Sequence, residues 1–383
     1  MTDASMNQGA QGSIVQRDHA TWTEKHKPNV VALIAHAARQ SGRGAFSVGL
    51  EATKLKRGRQ KIQFEEYIKF GLYDPARHTQ EERDEFITFM LQNACIQVCN
   101  DTSWFAVTED KWISQCLLER DGLPIPKTRA VVDTSGRAYH GTEALHGPEA
   151  LRDFLTGFDA FPLFGKHNRG LMSVGVFLIE GADEEFVYLR EHGAVTYHKF
   201  FENFIGKDAF LLQEVVQNHA FLREQTSTLA TVRMVNMLTD EGLYVPAAVL
   251  KLPSDRNMAD NFWRPGNLLC NIDPETGEIL TIVGTDGPDL KHHEAHPETG
   301  ASLIGQRLPH WDELLRVNAR VTQLHTPLRY QSTDMAITDD GPVVVEVNAG
   351  SSFTLPQYAS GKGFMTPKVR GLFRSWGCDF IWE

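Results

Sequence analysis

The stretch DMAITDDGPVVVEVN, residues 334–348, sets Asp334, Glu346 and Asn348 inside runs of apolar, β-forming residues. Met335, Ala336 and Ile337 lie before Asp339-Asp340-Gly341 and Val343, Val344 and Val345 lie after it, the composition of a β-hairpin. With 339–341 as the loop, Thr338 faces Pro342, Ala336 faces Val344 and Asp334 faces Glu346. Side chains alternate between the faces of a strand, so Asp334, Glu346 and Asn348 share one face. Opposed side chains have Cβ atoms about 5 Å apart, and like charges there are destabilising. Two carboxylates so placed require a cation between them, and with an amide oxygen they suit hard Mg²⁺. The competing arrangement is a solvated face reached by a one-residue slip in register.

A second segment, FPLFGKHNRGLMSVGV (161–176), delivers Lys166 at the end of an apolar strand and follows it with Gly170, Ser173 and Gly175. Glycines let a backbone approach phosphate closely, and a lysine adds a point charge. The spacing is neither GxxxxGK[ST] nor GxGxxG, so P-loop and dinucleotide-binding motifs are excluded. A third segment, Phe210-Leu211-Leu212-Gln213-Glu214-Val215-Val216, is an apolar strand ending in polar atoms and by itself is unspecific.

The elements that must position these groups alternate between strand and helix. Val30, Leu33, Ile34 and Ala37 form a helical stripe stopped at Ser41-Gly42. A helix over 110–121 runs through Gly122-Leu123-Pro124-Ile125-Pro126 into a strand at 128–132, with β runs at 161–166, 173–179, 185–190 and 210–216. A strand pair at 230–238 and 245–252 precedes the hairpin. This interleaving predicts an α/β or α+β chain of several lobes. The predicted organisation is a mobile polar arm at 1–28, a mainly helical region at 29–109, one lobe at 110–216 and a second at 217–383.

With 383 residues, Lys plus Arg 38 and Asp plus Glu 49, the formal net charge is −11. Such a chain is unsuited to coating nucleic acid or an anionic membrane. No window reaches the roughly 18 apolar residues of a membrane span, and the N-terminus lacks a secretory pattern. Five cysteines, few and odd in number, fit reduced thiols and a cytoplasmic protein. Cys95 lies on the apolar stripe of Ile87, Met90, Leu91 and Val98, with Cys99 at its edge, so both pack in a core. The basic run from Lys54 to Lys61 reads as a solvated loop, or as a docking surface for an acidic substrate. Lys291-His292-His293-Glu294-Ala295-His296 is not HExxH, and Pro297 and Gly300 imply a loop rather than a zinc helix. Arg264 and His296 are better candidates for lining an acceptor pocket.

Taken in order, these segments resemble the ATP-grasp superfamily over residues of about 105 to 360. Asp110-Lys111 ahead of Gly122-Leu123-Pro124-Ile125-Pro126 matches its first nucleotide lysine, and Lys166 with the loop 167–175 matches its second lysine and phosphate flap. Gln213-Glu214-Val215-Val216 is similar to the hinge that reads adenine. Arg233, in TLATVRMVNML, matches the strand arginine that neutralises the transferred phosphate. Asp334, Glu346 and Asn348 match the metal set Asp…Glu-x-Asn. A closer resemblance is to the sugar-transfer-associated branch, related to α-L-glutamate ligases. It is carried by STLATVR (227–233), ADNFWRPGN (259–267), HPETGASLIGQRLPHW (296–311) and TDMAITDDGPVVVEVN (333–348). The stretch from Gln217 to Thr228 is longer than in those relatives and leaves Glu224 as the candidate ribose carboxylate; Pro265-Gly266 and Ser351-Ser352 depart from the branch pattern.

The resemblance implies a fold holding nucleotide between two α+β lobes. It implies ATP with one or two Mg²⁺ ions, or Mn²⁺ in substitution, and Lys111, Lys166, Ser173 and residues 213–216 as the nucleotide site. It further implies a carboxylate–amine ligase that makes an amide through an acyl phosphate, releasing ADP and phosphate, with small-molecule carboxylate and amine as partners. The same fold supports kinases of a hydroxyl and ligases to a thiol or hydroxyl.

Overall fold

A computed structural model describes residues 13–25, 29–170 and 174–382. Its backbone divides into two units. One comprises 110–112, 126–215 and the chain up to Lys27, and the other 28–109, 113–125 and 216–383. The last passage of the chain from the first unit to the second falls between Val215 and Val216.

The first unit is built on a sheet with the order β2-β1-β7-β3-β4-β5-β6. Its strands are β1 (Thr128–Asp133), β2 (Glu143–Leu145), β3 (Leu163–His167), β4 (Phe177–Ala182), β5 (Phe186–Leu189), β6 (Gly193–Thr196) and β7 (Ala209–Glu214). Alternation sorts its residues. Ala130, Val132, Leu163, Phe177, Phe210 and Leu212 form one buried face, against the helices Pro148–Thr156 and Tyr197–Phe200. Gly165 lies opposite Phe177, and a Cβ there would sit 2.0 Å from the ring, so only glycine lets that ring lie across β3. The other face carries the small cluster of Val131, Leu211 and Tyr139 with Trp112.

The segment read as a mobile arm contains a helix, Ile14–Lys25. Ile14 is 5% exposed within the first unit's core, and Asp18 accepts the Gly175 N–H at 2.9 Å. The polar composition of 1–28 hid two apolar anchors, Ile14 and Val15.

The second unit carries a sheet with the order β12-β11-β10-β9-β8-β13-β14. Its strands are β8 (Thr231–Thr239), β9 (Gly242–Leu252), β10 (Leu268–Ile272), β11 (Ile279–Asp286), β12 (Asp289–His293), β13 (Tyr330–Thr338) and β14 (Gly341–Asn348). Val232, Met234, Leu250 and Met335 bury one face beneath Trp311, Leu314 and Val321 of the helix Trp311–Leu324. The opposite face, with Val235, Met237, Val249 and Tyr330, is covered by N- and C-terminal helices. Residues 29–109 therefore belong to this unit, because their apolar stripes are what the second face of the sheet buries. Val30–Ser41 forms a helix closed by Gly42 at φ 66, and Cys95 and Cys99 are buried in that core. Lys291, His292 and His293 lie on β12 rather than in a loop. Among the described residues no helix is long and apolar enough to cross a membrane.

The hairpin differs from its sequence reading in two ways that cancel. Thr338 pairs with Gly341, not Pro342, so Ala336 faces Val343 and Met335 faces Val344. An irregularity between Asp334 and Met335 then leaves Val345 as an extra residue and restores Asp334 opposite Glu346.

Candidate functional site

In the first unit, Lys166 stands on β3 opposite Leu211, and Phe164 stands opposite Gln213. These four share the face opposite the one packed on the helices Pro148–Thr156 and Tyr197–Phe200. Beyond Lys166, Asn168 is 2% exposed and ties the start of the helix Lys111–Arg120 to the end of β3. Its carbonyl accepts the Lys111 N–H at 3.1 Å and its side-chain oxygen the Trp112 N–H at 3.0 Å. Lys111 Nζ donates to the Gly170 carbonyl at 2.5 Å. Lys111 and Lys166, far apart in sequence, are thus fixed at the same end of one strand. Asp110, fully buried, pairs with Arg137 at 2.5 Å and Arg169 at 3.6 Å. Burial lowers the His167 pKa, Asp208 opposes this and the Lys111 charge adds to it. The Lys111 charge therefore bears on the polar end of β3. Ser173 lies outside the described residues.

The candidate hinge ends β7. Gln213 Nε2 donates to Thr128 Oγ1 at 3.1 Å, and Glu214 pairs with Arg129 and, at 4.0 Å, Lys127. The polar side chains of 213 and 214 are thus taken up by β1, while Val215, 40% exposed, leaves the sheet. Glu224, after the short helix Ala220–Arg223, is exposed.

In the second unit, pairing aligns a row of charges across four strands. Lys251 of β9 faces Thr231 of β8, Arg233 of β8 faces Asp334 of β13, and Asp334 faces Glu346 of β14. Arg233 grips Asp334 as a fork, Nε to Oδ1 at 2.9 Å and Nη2 to Oδ2 at 2.7 Å. Lys251 Nζ lies 3.4 Å from Asp334 Oδ2 and 3.1 Å from Asp260 Oδ2, and Thr231 donates its hydroxyl to Asp260. The side chains of Asp334, Lys251 and Arg233 are 4%, 8% and 20% exposed. Burial alone would raise the Asp334 pKa. The charges of Arg233 and Lys251 outweigh it and hold the carboxyl well below the usual carboxylate range. Burial likewise works against the Arg233 charge, and Asp334, Glu346 and Asp260 overcome it to raise the guanidinium pKa.

The two facing carboxylates are therefore not an uncompensated pair, as the sequence alone suggested. Asp334 is already neutralised by two cations from neighbouring strands, and the repulsion expected between Asp334 and Glu346 is largely removed. Neither Lys251 nor Asp260 was singled out from sequence. The available signal was a lone lysine closing the apolar run Ala247-Ala248-Val249-Leu250.

Asn348, two residues beyond Glu346, has a buried Nδ2 with no hydrogen-bond partner among the described residues. An orphaned buried amide is costly, and its oxygen and nitrogen can exchange places by a flip. Glu346, Asp334 and Asn348 carry the oxygen types a hard divalent cation takes, and both Asp334 oxygens are engaged by Arg233 and Lys251 in this structure.

The two acceptor candidates fare differently. Arg264 lies over the Trp263 ring, 4.7 Å from its centroid, in a loop pinned by Asn267. His296 is 3% exposed and its Nδ1 accepts the N–H groups of Glu298 and Thr299 at 3.3 and 3.2 Å. Burial lowers its pKa, with Glu298 opposing. The ring thus holds its own loop through Nδ1.

No curated protein matches the chain. Among solved structures, D-alanine–D-alanine ligase from Bacillus anthracis is similar at 15% identity and TM-score 0.36, covering 76% of this chain and 73% of that one. VanG D-Ala:D-Ser ligase from Enterococcus faecalis is similar at 14% identity and TM-score 0.40, covering 72% and 64%. N5-carboxyaminoimidazole ribonucleotide synthetase from Thermotoga maritima is similar at 13% identity and TM-score 0.34, covering 65% and 44%. The sequence profile described as "Sugar-transfer associated ATP-grasp" matches residues 91–370, most of the chain. The chain belongs to the sugar-transfer associated ATP-grasp family.

Proposed function

We propose that the protein is an ATP-dependent carboxylate–amine ligase that activates its carboxylate substrate as an acyl phosphate and releases ADP and phosphate. The observation that carries this reading is the row Arg233–Asp334–Glu346 with Asn348 on one face of a rigid sheet. It combines a phosphate-neutralising guanidinium with oxygen donors for a divalent cation.

In this reading Lys111 and Lys166 bind phosphate oxygens as point charges, and the backbone of 213–216 receives adenine. Asp334, Glu346 and Asn348 would hold Mg²⁺, which supplies charge neutralisation on the phosphate oxygens. Phosphoryl transfer depends mainly on positioning and charge neutralisation, so no general base is required for the first step. A carboxylate oxygen of the substrate attacks the γ-phosphorus and ADP leaves. The amine then attacks the acyl carbon, phosphate leaves, and an amide is formed. Exclusion of water by the segment around 167–175 would protect the acyl phosphate from hydrolysis.

The test is incubation with ATP, Mg²⁺ and pooled carboxylates and amines, with products assigned by mass. An amide product formed together with ADP supports the reading. A phosphorylated product would make the protein a kinase, and a thioester or ester would place it among ligases to other acceptors.

A further inference from the structure

The buried network behind Asp334 contains two charged groups that the proposed chemistry leaves without a role. Lys251 is 8% and Asp260 10% exposed by side chain. Arg233 and Lys251 against Asp334, Asp260 and Glu346 leave one net formal negative charge. A divalent cation would turn that into one net positive charge, the sign a polyphosphate requires. Asp334 cannot serve that cation fully while both its oxygens are held by the Arg233 fork and Lys251 lies 3.4 Å from one of them. Lys251 has somewhere else to go, because Asp260 is nearer still at 3.1 Å.

We propose that Lys251 is a positioning residue: it shares Asp334 with Arg233 until a divalent cation binds, then transfers its contact to Asp260 as Arg233 is released towards phosphate. This rests on the metal assignment proposed above. Lys251 acts through Asp334 and touches no substrate. Its competition with the cation keeps the site from becoming a strong metal trap, and its retained positive charge keeps the loaded site attractive to phosphate. A buried lysine that served only as a structural counter-ion would stabilise the fold without setting cation affinity.

Lys251→Met separates these roles, because the proposal makes two properties move in opposite directions. Mn²⁺ binding without nucleotide, read as loss of the free-ion electron paramagnetic resonance signal, should tighten at least roughly fivefold. That is the effect of one unit charge at about 4 Å even in bulk water. Turnover should fall by about 10²-fold, the scale of losing one preorganised charge. Lys251→Arg should return Mn²⁺ affinity to within about twofold of wild type. Unchanged or weaker Mn²⁺ binding in a Lys251→Met protein with a wild-type circular dichroism spectrum would overturn the proposal.

If Lys251→Met fails to fold, Asp260→Asn takes its place. Deprived of its alternative partner, Lys251 should stay on Asp334 and Mn²⁺ binding should weaken by roughly fivefold; unchanged binding would overturn the proposal. A wild-type protein that binds no Mn²⁺ refutes the metal assignment beneath it. Wild-type binding with an indifferent Lys251→Met refutes the role of Lys251 alone.

Discussion

Replacing Asp334 by Asn tests the charge row most sharply. The substitution keeps shape but removes the one carboxylate that both buried cations address. Breaking a buried ion pair from one side typically costs about 3–5 kcal/mol. Here the lower end applies, because Arg233 is one-fifth exposed and Lys251 keeps Asp260 at 3.1 Å. An unfolding entropy of about 2.1 cal/mol/K per residue over the roughly 260 residues of the second unit converts about 3 kcal/mol into a fall in Tm of about 5 °C. Thermal melts by circular dichroism at neutral pH and low salt give the number directly. The pH dependence supplies an independent check. The folded pKa of Asp334 is depressed, so the stability it contributes is present above the unfolded aspartate value. It is lost as pH falls from there towards the folded pKa. The gap between wild type and variant should therefore narrow as pH drops below about 4. A Tm shift under about 1 °C at neutral pH would refute the claim that Asp334 is a buried, ionised partner of both cations. A gap that persists undiminished into strong acid would refute the depressed pKa.

Glu346→Gln should behave differently. Glu346 is only partly buried and the charge of Asp334 is already met, so Tm should change by about 1 °C or less while Mg²⁺-dependent turnover disappears; a large loss of Tm would make Glu346 a structural carboxylate instead. Lys166→Ala should lower kcat by roughly 10²–10³-fold in steady-state assays, the cost of one preorganised donor. Lys111→Ala should raise the KM for ATP at least as strongly as it lowers kcat, and near wild-type kinetics in both variants would remove the lysines from the nucleotide site. Gly165→Ala should destabilise the first unit by about 1–3 kcal/mol, since its Cβ would meet the Phe177 ring, and a neutral change in a chemical melt would contradict that packing.

Strand and helix alternation was largely legible because it rests on local periodicity. The helix from Val30, the strand carrying Lys166 and the hairpin around Asp339-Asp340 all have single-segment signals. What failed was non-local. The helix Ile14–Lys25 is polar on most sides and is recognisable only once Ile14 finds the first unit's core. Residues 29–109 look separable in sequence, yet they cover a sheet that begins more than a hundred residues later. The facing of Asp334 and Glu346 was legible despite a misplaced turn, because an extra residue at Val345 cancelled the slip. Their electrostatic state was not, since it depends on Arg233 and Lys251 from two other strands. A lysine closing an apolar strand gives no hint of which carboxylates await it. The loop contacts of the His296 ring were equally illegible, since the N–H groups of Glu298 and Thr299 reach Nδ1 only once the turn is formed.

The central claim, that ATP activates a carboxylate by phosphoryl transfer, is tested most directly by isotope. Turnover with ATP and a pool of carboxylates labelled with ¹⁸O in the carboxyl group should deliver one ¹⁸O atom to the released inorganic phosphate, with ADP as the nucleotide product. Label found in AMP, with pyrophosphate released, would contradict the account in favour of adenylation.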